Sequence, residues 1–303
     1  MDRLPVVYHP DYSIPLPEGH RFPMAKFRGL HAYLLQSLGR SRLEVWMPER
    51  PPLDWIELVH EPNFVRDYCY GVLDTQAQRR IGLPWSDELV KRTITAVGGT
   101  ILTARLALRF GVGLNTAGGT HHAFPSFGSG FCIFNDMAIA IRLLQLEQLI
   151  NSALIIDLDV HQGDGTAFIF SHDPSVITCS IHCEKNFPGR KRPSDFDRGL
   201  AEGTDDIAYL KVLDALLEQI LRDYRPDIVL YNAGIDPHQD DLLGKMNLSD
   251  RGISLRDHRV LSTCHEASLP VACVIGGGYG KDMQALIERH ALLFKAADQI
   301  FLD

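Results

Sequence analysis

No apolar run in this chain approaches the roughly twenty residues that a bilayer-spanning helix needs, and the opening MDRLPVVYHP has no extended apolar stretch of the secretory kind. Membrane insertion by helices and export by a standard signal are therefore excluded as expectations, and a cytoplasmic protein is expected. Positive charge is also in short supply, with 30 Lys and Arg against 38 Asp and Glu and a formal charge of −8. The basic footprint that general binding to nucleic acid or to an anionic membrane requires is missing, and charged partners are expected to be cationic. The six cysteines (Cys69, Cys132, Cys179, Cys183, Cys264, Cys273) form no CxxC pair and read as reduced core thiols. Repeats, low-complexity tracts and Ser/Gly-rich linkers are absent, so residues 1–303 read as one continuous domain.

What the chain does have is alternation. Short β-rich apolar runs occur at SALIIDL (152–158), SVITCSIH (175–182), DIVLYNAG (227–234) and PVACVIGGG (270–278), with another at VGLNTAGG. Between them lie helical patterns. DIAYLKVLDALLEQILRDY sets Ile207, Leu210, Leu213, Leu217 and Ile220 on one stripe; NDMAIAIRLLQLEQL opens on the capping residues Asn135 and Asp136; SDELVKRTITAV opens on Ser86 with an acidic first turn. The alternation predicts an α/β fold, three layers with a central, mainly parallel sheet covered by helices on both faces. In such sheets ligands bind beyond the carboxyl ends of the strands, and that is where IDLDVH, SIHCEKNFPG, NAGID and GGGY fall.

The stretch IIDLDVHQGDGT (155–166) places Asp157, Asp159, His161 and Asp164 almost side by side at the end of an apolar run. Two carboxylates about 4 Å apart repel by roughly 4 kcal/mol at an effective dielectric of 20, so a cation or protons must compensate them. Asp159 and His161, two residues apart, point to the same side of an extended segment, and with Asp236 they make three ligands of a type suited to zinc or ferrous iron. Three protein ligands leave a position open, as in catalytic sites. The tandem His121 and His122 can each donate to one of the surplus carboxylates, Asp157 and Asp164, giving two His–Asp dyads to serve as general base and general acid. Three glycines before Tyr279 let the backbone turn sharply and bring the phenol to a developing oxyanion. The GGG run is also compatible with a phosphate loop, but spaced GxGxxG and the Walker lysine are absent.

Taken together, HHAF, GFCIFND, DLDVHQGDGT, NAGID and GGGY make the sequence resemble the zinc-dependent histone deacetylase family of the arginase/deacetylase superfamily, over nearly the whole chain. GGTHHAF, NAGID and LGKMNLS are most similar to the class IV branch and its bacterial relatives. The resemblance implies that Asp159, His161 and Asp236 bind the metal, that His122 is the general base with Asp164 behind it, and that His121 is its electrostatic partner with Asp157 behind it. It implies that Tyr279 polarises the scissile carbonyl, that Phe131 and Phe187 wall an acyl-lysine tunnel, and that the Gly130 carbonyl receives the substrate N–H. It also implies a structural potassium site using Asp157, Asp159, His161, Ser180 and Ile181. Two departures stand out. Gly118-Gly119-Thr120 replaces the usual Pro-Pro-Gly before the histidines, with a reshaped pocket floor as its expected effect, and Lys281 stands where class I members have Thr.

The expected activity is removal of acetyl or longer acyl groups from lysine side chains in a protein or peptide. Three rivals stand beside it. A binuclear arginase-like hydrolase needs an aspartate where Gly163 stands and a paired-aspartate motif where only Asp236 is suitable. An acetylpolyamine hydrolase, acting on small acylated amines, favours a glutamate where DDLLG presents Leu243, although Asp240 and Asp241 offer an acidic rim that would attract cations. An inactive acyl-lysine-binding scaffold predicts loss of His122, Asp236 or Tyr279, and all three are present.

Overall fold

The computed structural model describes residues 1–302. Eight strands form one sheet: β1 (Leu4–Val7), β2 (Leu43–Trp46), β3 (Val112–Asn115), β4 (Ala153–Asp157), β5 (Val176–Cys183), β6 (Phe196–Leu200), β7 (Ile228–Asn232) and β8 (Val271–Val274). Their order is β2-β1-β3-β8-β7-β4-β5-β6, and every neighbouring pair is parallel. The expected "mainly parallel" sheet is therefore parallel throughout.

Side chains alternate between two cores, as the two-residue period of a strand requires. On β4, Leu154 and Ile156 enter the core beneath the helices Lys26–Ser37, Asp206–Asp223, Asp250–Glu266 and Met283–Phe301. Ala153 and Ile155 enter the opposite core, beneath Asp87–Phe110 and Asp136–Leu146. The strands β3, β4, β7 and β8 are buried along their whole length, which explains their unbroken apolar sequences. Because these four are adjacent and parallel, all their carboxyl ends open on one edge of the sheet.

Helix starts follow the sequence signals. The side chains of Ser86, Asn135 and Asp205 accept from the N–H groups of Leu89, Ala138 and Ala208. Two readings need correction. Ile207 is 80% exposed: each three-residue step falls short of the 3.6-residue turn, so the stripe through Leu210, Leu213, Leu217 and Ile220 rotates away from it. The helix opening at Ser86 runs on to Phe110 through Gly98 and Gly99. Those glycines do not break it, because they admit neighbours: a Cβ on Gly98 would lie 2.1 Å from the Glu49 carbonyl oxygen. Among the described residues no helix is long and apolar enough to cross a membrane, and the six cysteines are free, five of them buried.

Candidate active site

Loops leaving the four central strands bring the sequence-predicted residues to one place. The ligand atoms of Asp159, His161 and Asp236 all lie within 4.8 Å of one another, and all three side chains are buried. Asp159 and His161 do not sit on an extended segment as expected: β4 ends at Asp157 and the two lie in the bend beyond, while Asp236 lies in a turn past the end of β7 at Asn232. They meet because backbone N–H groups aim them. Val160 N–H donates to Asp236 Oδ1 (2.7 Å), and His161 and Gly277 N–H donate to the two oxygens of Asp159 (3.0 and 2.7 Å). His161 Nδ1 is 3.0 Å from Asp159 Oδ1 and 3.1 Å from Asp236 Oδ2. Burial, and then the charge of Asp159, push the Asp236 carboxyl up to about 7. Two buried carboxylates so close call for positive charge between them, and with one imidazole they form a donor set that fits a divalent cation.

Two dyads flank this cluster. His121 Nδ1 is 2.6 Å from Asp157 Oδ2, and His122 Nδ1 is 2.7 Å from Asp164 Oδ1, with the imidazole centroids 4.1 Å apart. With Nδ1–H donated to the carboxylate, each Nε2 is the nitrogen left for chemistry. The two rings titrate in opposite directions. Burial, reinforced by the charge of His121, lowers His122 to about 4. Burial also pulls His121 down, but Asp157 and Asp159 outweigh it and raise the ring to about 9. Near neutral pH His122 is therefore neutral and His121 carries a second proton.

Tyr279 borders a cavity of about 230 Å³ together with His122, Gly130, Phe131, His161, Phe187 and Leu243, so all four residues expected to touch substrate share one wall system. Phe187 stands edge-on to His122, with centroids 4.8 Å apart. Gly130 and Phe131 both have positive φ (53° and 67°), a costly conformation for Phe131. It is held by N–H bonds from Gly130 and Phe131 to the carbonyls of Arg80 and Ile81. Burial holds the Tyr279 phenol well above its usual range, so it remains an O–H donor. A smaller cavity of about 50 Å³ adjoins it, sharing His122, Gly130, Phe131, His161 and Tyr279 and bounded further by Phe22, Phe27 and Arg92.

The segments named for a potassium site are also adjacent. Asp157 pairs with Ser180 in the β4–β5 register, and Cys183 N–H donates to Val160 O, which lies between Asp159 and His161. The Ser180 hydroxyl hydrogen-bonds with His182 Nδ1 at 2.9 Å, and Ile181 is buried.

Other features escaped the sequence reading. Asn232 Nδ2 donates to Asp157 Oδ1 (2.9 Å), steadying the first dyad; its only signal was its place in NAGID. Lys26 is buried with Nζ on the Gly276 carbonyl (3.2 Å), and nothing in the RFPMAKF spacing marked it. Arg21 and Asn186 line the cavity. The expected acidic rim needs correction. Asp241 turns inward to accept N–H from Tyr279, Leu243 and Gly244, and Asp240 lies beside Arg289 and His238, so neither lines the cavity. Gly118-Gly119-Thr120 adopts positive φ at both glycines (90° and 89°), and Asp136 pins the loop by accepting from Gly119 and Thr120 N–H. Gly163 admits no acidic side chain, since a Cβ there would lie 2.4 Å from Asp157 Oδ2.

A sequence profile of the histone deacetylase domain matches residues 20–293. A protein of Picosynechococcus sp. is 58% identical over 297 residues, covering 98% of this chain and 99% of that protein. Acetoin utilization protein AcuC of Staphylococcus aureus is 31% identical over 252 residues, covering 75% of this chain and 64% of that protein. Histone deacetylase 2 of Arabidopsis thaliana is 37% identical over 194 residues, 63% of this chain and 50% of that protein, so the match spans half the plant protein's length. The crystal structure of the HDA15 HD domain superposes with a TM-score of 0.81 at 20% identity, covering 99% of this chain and 88% of that one, a likeness of fold. With its profile match covering most of the described residues, the chain belongs to the histone deacetylase family of hydrolases.

Proposed function

We propose that the protein is a metal-dependent lysine deacylase of one catalytic domain, and that it hydrolyses the amide of a short-chain Nε-acyl-lysine. The observation that carries this reading is the convergence of an Asp/His/Asp cluster, two His–Asp dyads of opposite titration and one tyrosine at the end of an aromatic-walled cavity. Asp159, His161 and Asp236 would hold the cation, zinc or iron(II), both of which suit the donor set. When bound, such a cation supplies Lewis-acid polarisation and lowers the pKa of water.

The chain's own residues do the rest. Phe131 and Phe187 clamp the apolar lysine stem and exclude water, while the Gly130 carbonyl accepts the substrate N–H. His122, neutral near pH 7, takes the proton of the attacking water on Nε2, with Asp164 holding the ring and balancing its charge. Tyr279 donates to the carbonyl oxygen as it gains charge. His121, held protonated by Asp157, steadies that charge, and an imidazolium returns a proton to the departing amine. A carboxylate and a free lysine amine result. Asp157, Asp159, His161, Ser180 and Ile181, brought together by the β4–β5 register and the segment after β4, would hold a structural potassium ion.

Leu243 in the wall gives an internal polyamine nitrogen no counter-ion, and the cavity of about 50 Å³ around the catalytic cluster is small, so acetyl-lysine is preferred to acetylpolyamines and to fatty acyl chains. The test is free amine released from acetyl-lysine peptide, long-chain acyl-lysine peptide and acetylputrescine by the zinc-loaded protein. Release from the acetyl peptide that is lost in Tyr279→Phe supports the reading. Release from acetylputrescine alone overturns the substrate, and no release from any of them overturns the activity.

A further inference from the structure

The cavity above the catalytic cluster is lined by aromatic, aliphatic and amide groups and the two histidines, with a single fixed charge, Arg21. Arg21 is exposed, and its guanidinium has no ion pair or hydrogen bond among the described residues. No carboxylate lines the cavity beside it: Asp241 is committed to the N–H groups of Tyr279, Leu243 and Gly244, and Asp240 lies beside Arg289. On a chain of net charge −8, an unopposed cation at the mouth of the cavity is a local reversal of sign.

Resting on the deacylase reading, we infer that Arg21 is a specificity residue that grips a carboxylate carried next to the α-carbon of the acyl-lysine. With the scissile amide at the cluster and the four-carbon stem between Phe131 and Phe187, the groups left at the mouth are those around the lysine α-carbon. A guanidinium holds a carboxylate there through two parallel N–H···O bonds, which a peptide carbonyl cannot match. That carboxylate is either the lysine's own, free or C-terminal, or the side chain of a flanking acidic residue. A polyamine brings a cation to the same place and is repelled. Since Arg21 is solvated, the preference is about fivefold and weakens with salt.

The test compares kcat/KM for Nα-blocked Nε-acetyl-lysine as free acid and as amide, and for two peptides differing in Asp or Asn directly after an internal acetyl-lysine. Wild-type protein is expected to favour an acid over its neutral partner about fivefold, through KM rather than kcat, with the ratio shrinking in high salt. Preference for the free acid identifies the lysine carboxylate, and preference for the Asp peptide identifies the flanking residue. Arg21→Ala is expected to equalise each pair and Arg21→Glu to invert it; matched melting curves verify that these exposed substitutions leave the fold intact. No preference in either pair, or one that survives in Arg21→Ala, overturns the inference, while turnover of the neutral amide leaves the deacylase reading standing. Inactivity on every substrate overturns both.

Discussion

The backbone N–H of Tyr279 donates to Asp241 Oδ2 at 2.6 Å, while Oδ1 of the same carboxylate accepts the N–H groups of Leu243 and Gly244 at 2.8 Å each. One half-buried side chain therefore ties the tyrosine's backbone to the loop that carries Leu243. Burial raises the Asp241 carboxyl and the three N–H groups oppose that rise. In Asp241→Asn a single amide oxygen remains as acceptor; if it serves the loop, the NH₂ faces the Tyr279 N–H and the phenol loses its registration. The expected result is a fall in kcat of about tenfold, roughly 1.4 kcal/mol, with a melting temperature close to wild type. Steady-state kinetics on an acetyl-lysine peptide beside a thermal melt checks it, and an unchanged kcat removes Asp241 from the positioning of Tyr279.

Asp164→Asn addresses the proposed general base, His122. The amide can still hydrogen-bond His122 Nδ1 but no longer balances the charge the ring acquires on taking a proton, and it can turn to favour the wrong tautomer. We expect kcat to fall by about 10²- to 10³-fold with little change in KM, within the span general base catalysis commands. Equal losses in kcat and kcat/KM would carry the point; a loss confined to KM would place Asp164 in binding instead.

How far the sequence foretold this site depends on distance along the chain. Asp159 and His161, close in sequence and loaded with chemistry, were legible, as were the dyad carboxylates, because a cluster of buried acids needs explanation on electrostatic grounds alone. The central strands were legible because burial on both faces writes itself as continuous apolar runs. The outer strands β2 and β6 were not read as strands, since LEVW and FDRGL carry mixed burial and little period, and β1, buried throughout, was passed over because LPVV is only four residues long and interrupted by Pro5. Lys26 and Asn232 were missed because each is held by contacts with distant segments, and Arg21 because the cavity it lines is closed by residues far along the chain; an isolated polar residue has no periodicity to betray it. Asp241 was misread as a rim charge because sequence shows a carboxylate but not which way it turns.

Gly277 offers a test of the cation site that does not depend on turnover. A Cβ there would lie 2.1 Å from Asp236 Oδ2 and 2.6 Å from Asp159 Oδ2, too close for the two carboxylates to keep their places. Gly277→Ala is expected to weaken zinc binding by at least tenfold, about 1.4 kcal/mol, in a competition titration with a chromogenic chelator. The stabilisation that saturating zinc gives wild-type protein against heat should shrink with it. Zinc affinity equal to wild type would mean that the cation is not held between Asp159 and Asp236.

His60, outside the catalytic cluster, makes a prediction for stability against pH. Asn135 N–H donates to its Nε2 at 2.8 Å, so the ring's one proton sits on Nδ1 and is given to the Phe124 carbonyl at 3.0 Å. A second proton has to enter at Nε2, against a backbone N–H that leads into the helix capped by Asn135. Burial lowers the ring to about 4, with the carbonyls of Phe124 and Pro125 opposing, whereas the unfolded chain titrates near 6.5. The folded value lies below the unfolded one, so the unfolded state takes the proton first as pH falls. The contribution is complete above about pH 6.5 and is lost progressively toward pH 4, amounting to about 3 kcal/mol over the interval. Urea unfolding of wild type and of His60→Gln between pH 7.5 and 4.5 isolates this group from the carboxylates, which titrate in both proteins. Wild type should lose more stability than the variant across that range, and parallel curves would show that His60 is not what acid unfolds.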